Sequence, residues 1–232
     1  MKRFNTRILA ISILSALIMP GLGNCQEKFK MVEESFDFGH VGIDYRIFHT
    51  FKLINTGIKD IKIDSIDVLC DCSSVLFDKN NLHPKDTLEI KLKFDTRDFY
   101  GPVSRKMNVF LSLPERRVVS LTYLAEVGLW NDGLKPDPFA IFMLPTNKQQ
   151  SVKVHNRFFE SLNAEILNIN DDYYTIEIVK NGAKKGEAIE LLVRPKADLG
   201  KGTYFSNFTI KVTGDDKSSP ANLTFPVKIA RF

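Results

Sequence analysis

Cys70 and Cys72, two residues apart in the stretch Ile66-Asp67-Val68-Leu69-Cys70-Asp71-Cys72-Ser73-Ser74, are the side chains of this sequence best suited to chemistry. The chain has 3 cysteines, and the remaining one, Cys25, lies near the N-terminus. Three roles are open to such a pair in an oxidising compartment. It could form a Cys-x-Cys disulfide, which is redox-labile when strained. It could offer two thiolates to copper(I), a soft cation. It could also be two small residues filling the edge of a core. In a flat strand the two Cα atoms would stand about 6.6 Å apart. A disulfide wants Cβ atoms about 3.8 Å apart, so closing one requires a bend.

Two histidines are candidates for a third copper ligand. His49 alternates with Phe51 and Leu53 and so points into the apolar layer, where a hydrogen-bonded core histidine is the plainer reading. His83 lies in Asn80-Asn81-Leu82-His83-Pro84, a turn, where the plainer reading is a solvated side chain. Two cysteines without further ligands make a thinner metal signal than a four-ligand zinc site. Asp171-Asp172 and Asp215-Asp216 lack the ligand spacing of a calcium loop. The recognisable enzyme patterns are missing: no Gly-rich phosphate loop, no Gly-x-Ser-x-Gly elbow and no His-Glu-x-x-His helix. On these grounds the chain reads as non-enzymatic.

The elements that carry these residues are strands. Ile47, His49, Phe51 and Leu53 alternate with polar or exposed positions, and the run stops at the turn signal Asn55-Thr56-Gly57. Ile61 and Ile63 follow, then Ile66 and Val68; the three-residue step between Ile63 and Ile66 predicts a bulge. Ile90 to Phe94, Met107 to Leu113 and Val119 to Val127 continue the period of two. No window of helical length shows 3.6-residue spacing, so the chain reads as an all-β immunoglobulin-like sandwich. With so few cysteines it must stand on apolar cores, which 44% hydrophobic residues and 18 Phe make feasible.

A shift of 101 places Phe51 on Val152, Val68 on Ile169, Ile90 on Leu191 and Val109 on Ile210. One further residue aligns Leu121-Thr122-Tyr123 with Leu223-Thr224-Phe225. One register held over such a length predicts a tandem repeat of about a hundred residues per unit. The expected organisation is a leader at 1–23, a first domain at 29–129, a linker at 130–138 rich in Pro, Gly and Asp, and a second domain at 139–232. Cys70 and Cys72 fall on Asp171 and Tyr173, so the second unit does without the thiols. A buried unpaired carboxylate at Asp171 would be costly, which predicts that the first strand ends near Val68 and leaves the cysteines in a rim loop.

The leader begins with Lys2, Arg3 and Arg7, continues as a largely apolar run from Ile8 to Met19, and closes on Pro20-Gly21-Leu22-Gly23. That run is short of the roughly 20 residues needed to span a bilayer, so a secretion signal is expected and no transmembrane segment remains after its removal. Two processing routes stay open. Cleavage after Gly23 would free the chain, whereas Leu22-Gly23-Asn24-Cys25 is similar to a lipobox and would tether it through Cys25. The leader holds three of the basic residues and no acid, which reduces 32 basic against 28 acidic residues to 29 against 28. A nucleic-acid partner requires an excess of cations, which is lacking here.

Phe36-Asp37-Phe38-Gly39, Val41, His49-x-Phe51, Asn55-Thr56-Gly57, Cys70-x-Cys72, Phe94-Asp95-Thr96 and Gly101 occur in this order. Over roughly Phe36 to Val127 they resemble the bacterial domain-of-unknown-function 1573 family, secreted immunoglobulin-like sandwiches. Where that family usually has Ser-Cys-Gly-Cys-Thr, this chain has Leu69-Cys70-Asp71-Cys72-Ser73. The resemblance implies fold and secretion and brings no established activity. In a bacterial setting the triplets Asn207-Phe208-Thr209 and Asn222-Leu223-Thr224, which match the N-glycosylation pattern, carry little weight. The expected function is a secreted, periplasmic or envelope-associated module that binds another protein or an envelope component. A copper-binding or thiol-redox module centred on Cys70 and Cys72 is the alternative.

Overall fold

The structure, a computed structural model, describes residues 28–113, 116–130, 133–169, 172–215 and 221–232. The described residues form strands and no helix. The first half contains β1 (Phe29–Met31), β2 (Ser35–Val41), β3 (Arg46–Asn55), β4 (Ile61–Val68), β5 (Ser73–Phe77), β6 (Asn81–Leu82), β7 (Thr87–Asp95), β8 (Gly101–Ser112) and β9 (Arg116–Val127). The second half contains β10 (Leu134–Asp137), β11 (Ile141–Met143), β12 (Gln150–Asn156), β13 (Ser161–Ile169), β14 (Tyr174–Lys180), β15 (Ala183–Lys184), β16 (Ala188–Pro195), β17 (Gly202–Gly214) and β18 (Ala221–Arg231).

In the first half the sheet β1-β3-β7-β5 faces the run β2-β9-β8-β4-β6, and the inward residues of both make one apolar core. Phe38, Ile47, Phe51, Phe94, Met107 and Leu121 are fully enclosed there. Alternation puts them inside because successive strand side chains point to opposite faces. The second half repeats the plan with β10-β12-β16-β14 against β18-β17-β13-β15, and β11 lies parallel to β18. It has its own core, centred on Tyr174, Phe208 and Phe225. This is β-sandwich architecture.

The ladders repeat residue by residue. Phe51 faces Ile90, and Val152 faces Leu191, each displaced by 101 positions (51 to 152, 90 to 191). The same displacement relates Val75–Leu92 to Ile176–Val193 and Val68–Met107 to Ile169–Phe208. The bulge in β4 falls between Ile63 and Ser65, where the spacing of the isoleucines placed it. The last strand departs from the sequence alignment. Leu121 faces Met107, but Phe208 faces Phe225, so the structural counterpart of Leu121 is Phe225 rather than Leu223. A slip of two leaves every side chain on its own face, so the hydrophobic pattern cannot reveal it.

A second correction concerns 130–138. This stretch is not a free linker, because Leu134–Asp137 forms β10 and pairs antiparallel with β12, from Leu134–Asn156 to Asp137–Lys153. Leu134 is buried in the second core. Pro136 is tolerated because β10 is an edge strand whose N–H groups need no second partner.

The halves are also joined more tightly than a linker implies. Strand β2 lies between β9 and β18, parallel to both, so a single 10-stranded sheet runs through the molecule. Polar side chains of the second half satisfy backbone groups of the first. Asn222 Nδ2 donates to the Asp37 carbonyl at 2.7 Å, and Thr224 Oγ1 donates to that of Phe38 at 2.6 Å. Phe48 N donates to Asn207 Oδ1 at 2.6 Å, and Asn168 Nδ2 donates to the Phe48 carbonyl at 3.3 Å. Gly39 has φ +62°, and a Cβ there would collide with the Asn222 carbonyl oxygen. Only glycine meets both demands. The two glycosylation-like triplets are thus seam residues; Asn207, Thr209 and Thr224 are buried.

Candidate functional site

Strand β4 ends at Val68, and Leu69–Cys72 turn the chain into β5. The turn is fastened by backbone bonds from Ser73 N to the Cys70 carbonyl (3.4 Å) and from Asp95 N to the Cys72 carbonyl (2.9 Å). The bend brings the Cα atoms of Cys70 and Cys72 to 5.2 Å, and the two are disulfide-bonded. Both are half-buried, and Cys72 lies against the first core.

The residues beneath the bond were not singled out in the sequence. Ser73 Oγ lies 3.7 Å from each sulfur, and Tyr123 OH lies 3.9 Å from Cys70 Sγ. The two hydroxyls share a hydrogen bond of 2.7 Å. Tyr123 is enclosed beside Phe94, with ring centroids 5.4 Å apart. Burial pushes its hydroxyl above the ordinary value of 10, against the Ser73 hydrogen bond and the nearby Arg105 charge, which pull it down. Arg105 itself lies 5.1 Å from the Phe99 ring, which packs on Phe94. The available signal was Tyr123 itself, since a buried tyrosine hydroxyl needs a partner. At the solvent side, Leu69 and Leu76 are exposed.

Neither histidine joins the pair. His49 is buried in β3, stacked on Phe36 at 3.7 Å, with Nε2 held 2.7 Å from Glu33 Oε1. It lies two strands away, facing Leu92 of β7, whereas Ser73 faces Phe94. His83 is exposed, with Nδ1 3.0 Å from Asp60 Oδ1. This hydrogen bond to Asp60 raises the His83 pKa above 6.5 and lowers that of Asp60 below 3.8. His83 follows Leu82, which pairs with Ile61 at the start of β4, about 23 Å of strand from Val68. Among the described residues no group of three or more His, Cys, Asp or Glu is arranged to hold a metal ion. Cys25, Asp171 and Asp216, together with the leader 1–23, lie outside the described residues.

Other concave regions between the halves include one of about 420 Å3 bordered by Phe48, His49, Lys52, Glu89 and Asn168, and a cleft of about 320 Å3 bordered by Tyr45, Arg46, Arg97, Phe205 and Lys228. Arg46 and Arg97 are both engaged by Asp95, and Arg97 also by Asp44. Its guanidinium charge is therefore neutralised from within.

At the second-half turn, Tyr173 and Tyr174 stand where the first half has Cys72 and Ser73. Tyr174 fills the core, and Tyr173 packs on Tyr204 at 5.0 Å. No helix among the described residues is long and apolar enough to cross a membrane.

Similar solved structures include the PapD-like domain 7 of human CEP192, at 12% identity and TM-score 0.40, covering 51% of this chain and 97% of that one. The Escherichia coli chaperone DraB is 11% identical with TM-score 0.36, covering 85% and 96%. The VesB protease of Vibrio cholerae is 11% identical with TM-score 0.39 over 43% of this chain, and the match spans only 32% of the protease. No curated protein matches the sequence. The Phe36–Val41 strand and the Cys70–Cys72 turn fall within residues 29–127, and that segment matches the model of the family described as "Protein of unknown function (DUF1573)".

Proposed function

We propose that this chain is a non-enzymatic, secreted or envelope-associated interaction module of two tandem immunoglobulin-like domains, the second entered at Leu134. The observation that carries the reading is the open edge of β5, which among the described residues pairs with β7 alone and exposes Leu76 at its outer face. An edge strand offers unpaired N–H and C=O groups to an incoming extended segment. Across from Leu76 and Ser74 stand Lys91 and Lys93 of β7, so the fitting partner is an extended protein segment of alternating acidic and apolar residues. The sheet that carries β5 packs over the continuous sheet through the first core, which gives the edge a platform.

A photo-crosslinking residue at position 76 tests the reading in cells that make the protein. Crosslinks to one defined protein at 76, absent at 106 on the opposite sheet and lost when Val75→Pro removes an N–H that faces away from β7, are expected. Equal labelling at both positions would contradict it. Intact mass of the purified chain tests the location, since cleavage after Gly23 and lipidation of Cys25 give different masses.

A further inference from the structure

We propose that Cys70–Cys72 is a thiol–disulfide exchange site whose substrates are protein or low-molecular-weight thiols, with Ser73 and Tyr123 stabilising the thiolate that leaves. This goes beyond partner binding and does not depend on it.

The bond has little structural work to do. Its ends are 2 residues apart, and the stabilisation from closing a loop grows with the length of the loop. The turn is already fastened by Ser73 N to Cys70 O and Asp95 N to Cys72 O. The second half enters β14 at the equivalent place with Tyr173 and Tyr174 instead.

The surroundings fit exchange. Reactive cysteines sit in partly exposed, electropositive sites with donors to the sulfur. Both cysteines here are half-buried, and Ser73 Oγ is 3.7 Å from each sulfur. Cys70 also has Tyr123 OH at 3.9 Å, and the Arg105 guanidinium acts on that hydroxyl; one proton of the two hydroxyls lies in their shared bond and the other is free to turn to the Cys70 thiolate. Cys70 is therefore the better leaving thiolate. A thiolate of the substrate attacks Cys72 Sγ; the S–S bond breaks and its electron pair departs on Cys70 Sγ. A mixed disulfide between substrate and Cys72 results. A second substrate thiolate then attacks the substrate sulfur of that bond, expelling the Cys72 thiolate. Two electrons pass from the substrate thiols to the pair, and the two protons those thiols release are available to Cys70 and Cys72. The substrate ends as a disulfide.

The full chain equilibrated in reduced and oxidised glutathione tests this, with alkylation and mass as the readout. Reversible two-electron reduction is expected, and Cys70→Ser should retain one glutathione on Cys72. In Cys72→Ser the remaining Cys70 thiol should alkylate with an apparent pKa below the ordinary value of about 8.5. Tyr123→Phe keeps the ring and the core, so it should fold. It should raise that pKa and shift the exchange equilibrium towards the disulfide by about tenfold. A pair that glutathione fails to reduce would overturn the proposal. So would an alkylation profile equal to that of a Val68–Ser74 peptide and unchanged by Ser73→Ala and Tyr123→Phe.

Discussion

In the first half the chain leaves β4 through Leu69–Cys72 and enters β5 on a small serine; in the second it enters β14 on Tyr174, a side chain that fills its own core. On both sides of these turns the ladders match pair for pair. One backbone plan therefore accepts two fillings. A disulfide over a buried hydroxyl pair closes the first turn, and aromatic bulk closes the second. What differs between equivalent positions marks what the fold leaves free. What is shared marks what it requires.

A shared device should give the largest effects. Asn55 donates from Nδ2 to the carbonyls of Lys59 and Leu82 and accepts from Gly57 N. Asn156 makes the same set with the Phe159 and Ala183 carbonyls and Phe159 N. Both are buried, so Asn55→Ala and Asn156→Ala should each cost about 2–4 kcal/mol in urea denaturation, because acceptors are left unpaired. Unequal losses would break the equivalence of the halves. At the seam, Thr224→Val keeps the shape and removes the bond to Phe38 O together with the one shared with the Thr209 hydroxyl at 2.8 Å. It should cost about 1–2 kcal/mol and let the two halves melt in separate steps by calorimetry.

Replacing both cysteines by serine should cost less than a long-loop disulfide would, about 1–2 kcal/mol at most in the chain-entropy account. The smallest effect is electrostatic and belongs to the first half alone, where His83 and Asp60 have Lys184 and Ser161 as counterparts. The raised His83 pKa stabilises the fold fully below 6.5, and this is lost as pH rises through the folded value. The lowered Asp60 pKa stabilises above 3.8, and this is lost as pH falls through the folded value. NMR titration should find the His83 pKa above 6.5 in the native chain and back near it in Asp60→Asn.

Much of this was legible in the sequence, for physical reasons. Period-two alternation revealed the strands, the Ile63–Ile66 step revealed the bulge, and the register of the repeat revealed that the thiols are not needed by both halves. Three features stayed hidden. The two-residue slip of β18 preserves facing and leaves no trace in the pattern. Strand β10 reads as a linker because Gly133, which does stand in a turn, and Pro136, which a strand accepts at an edge, both read as turn signals in sequence. The seam is made by side chains bonding to backbone, as Asn207 does to Phe48 N, and a carbonyl or N–H is the same at every residue. At the site, the pair was visible from its spacing. The Ser73–Tyr123 hydroxyls beneath it were not, because 50 residues separate them and the contact exists only once β5 and β9 are packed.

Urea denaturation of the full chain with Cys70–Cys72 oxidised, set against the same chain reduced and held reduced, tests most directly whether the bond is chemistry added to a self-sufficient sandwich. The account predicts nearly coincident transitions of equal slope, separated by no more than about 1–2 kcal/mol. A reduced chain whose first half unfolds while the second remains folded would contradict it.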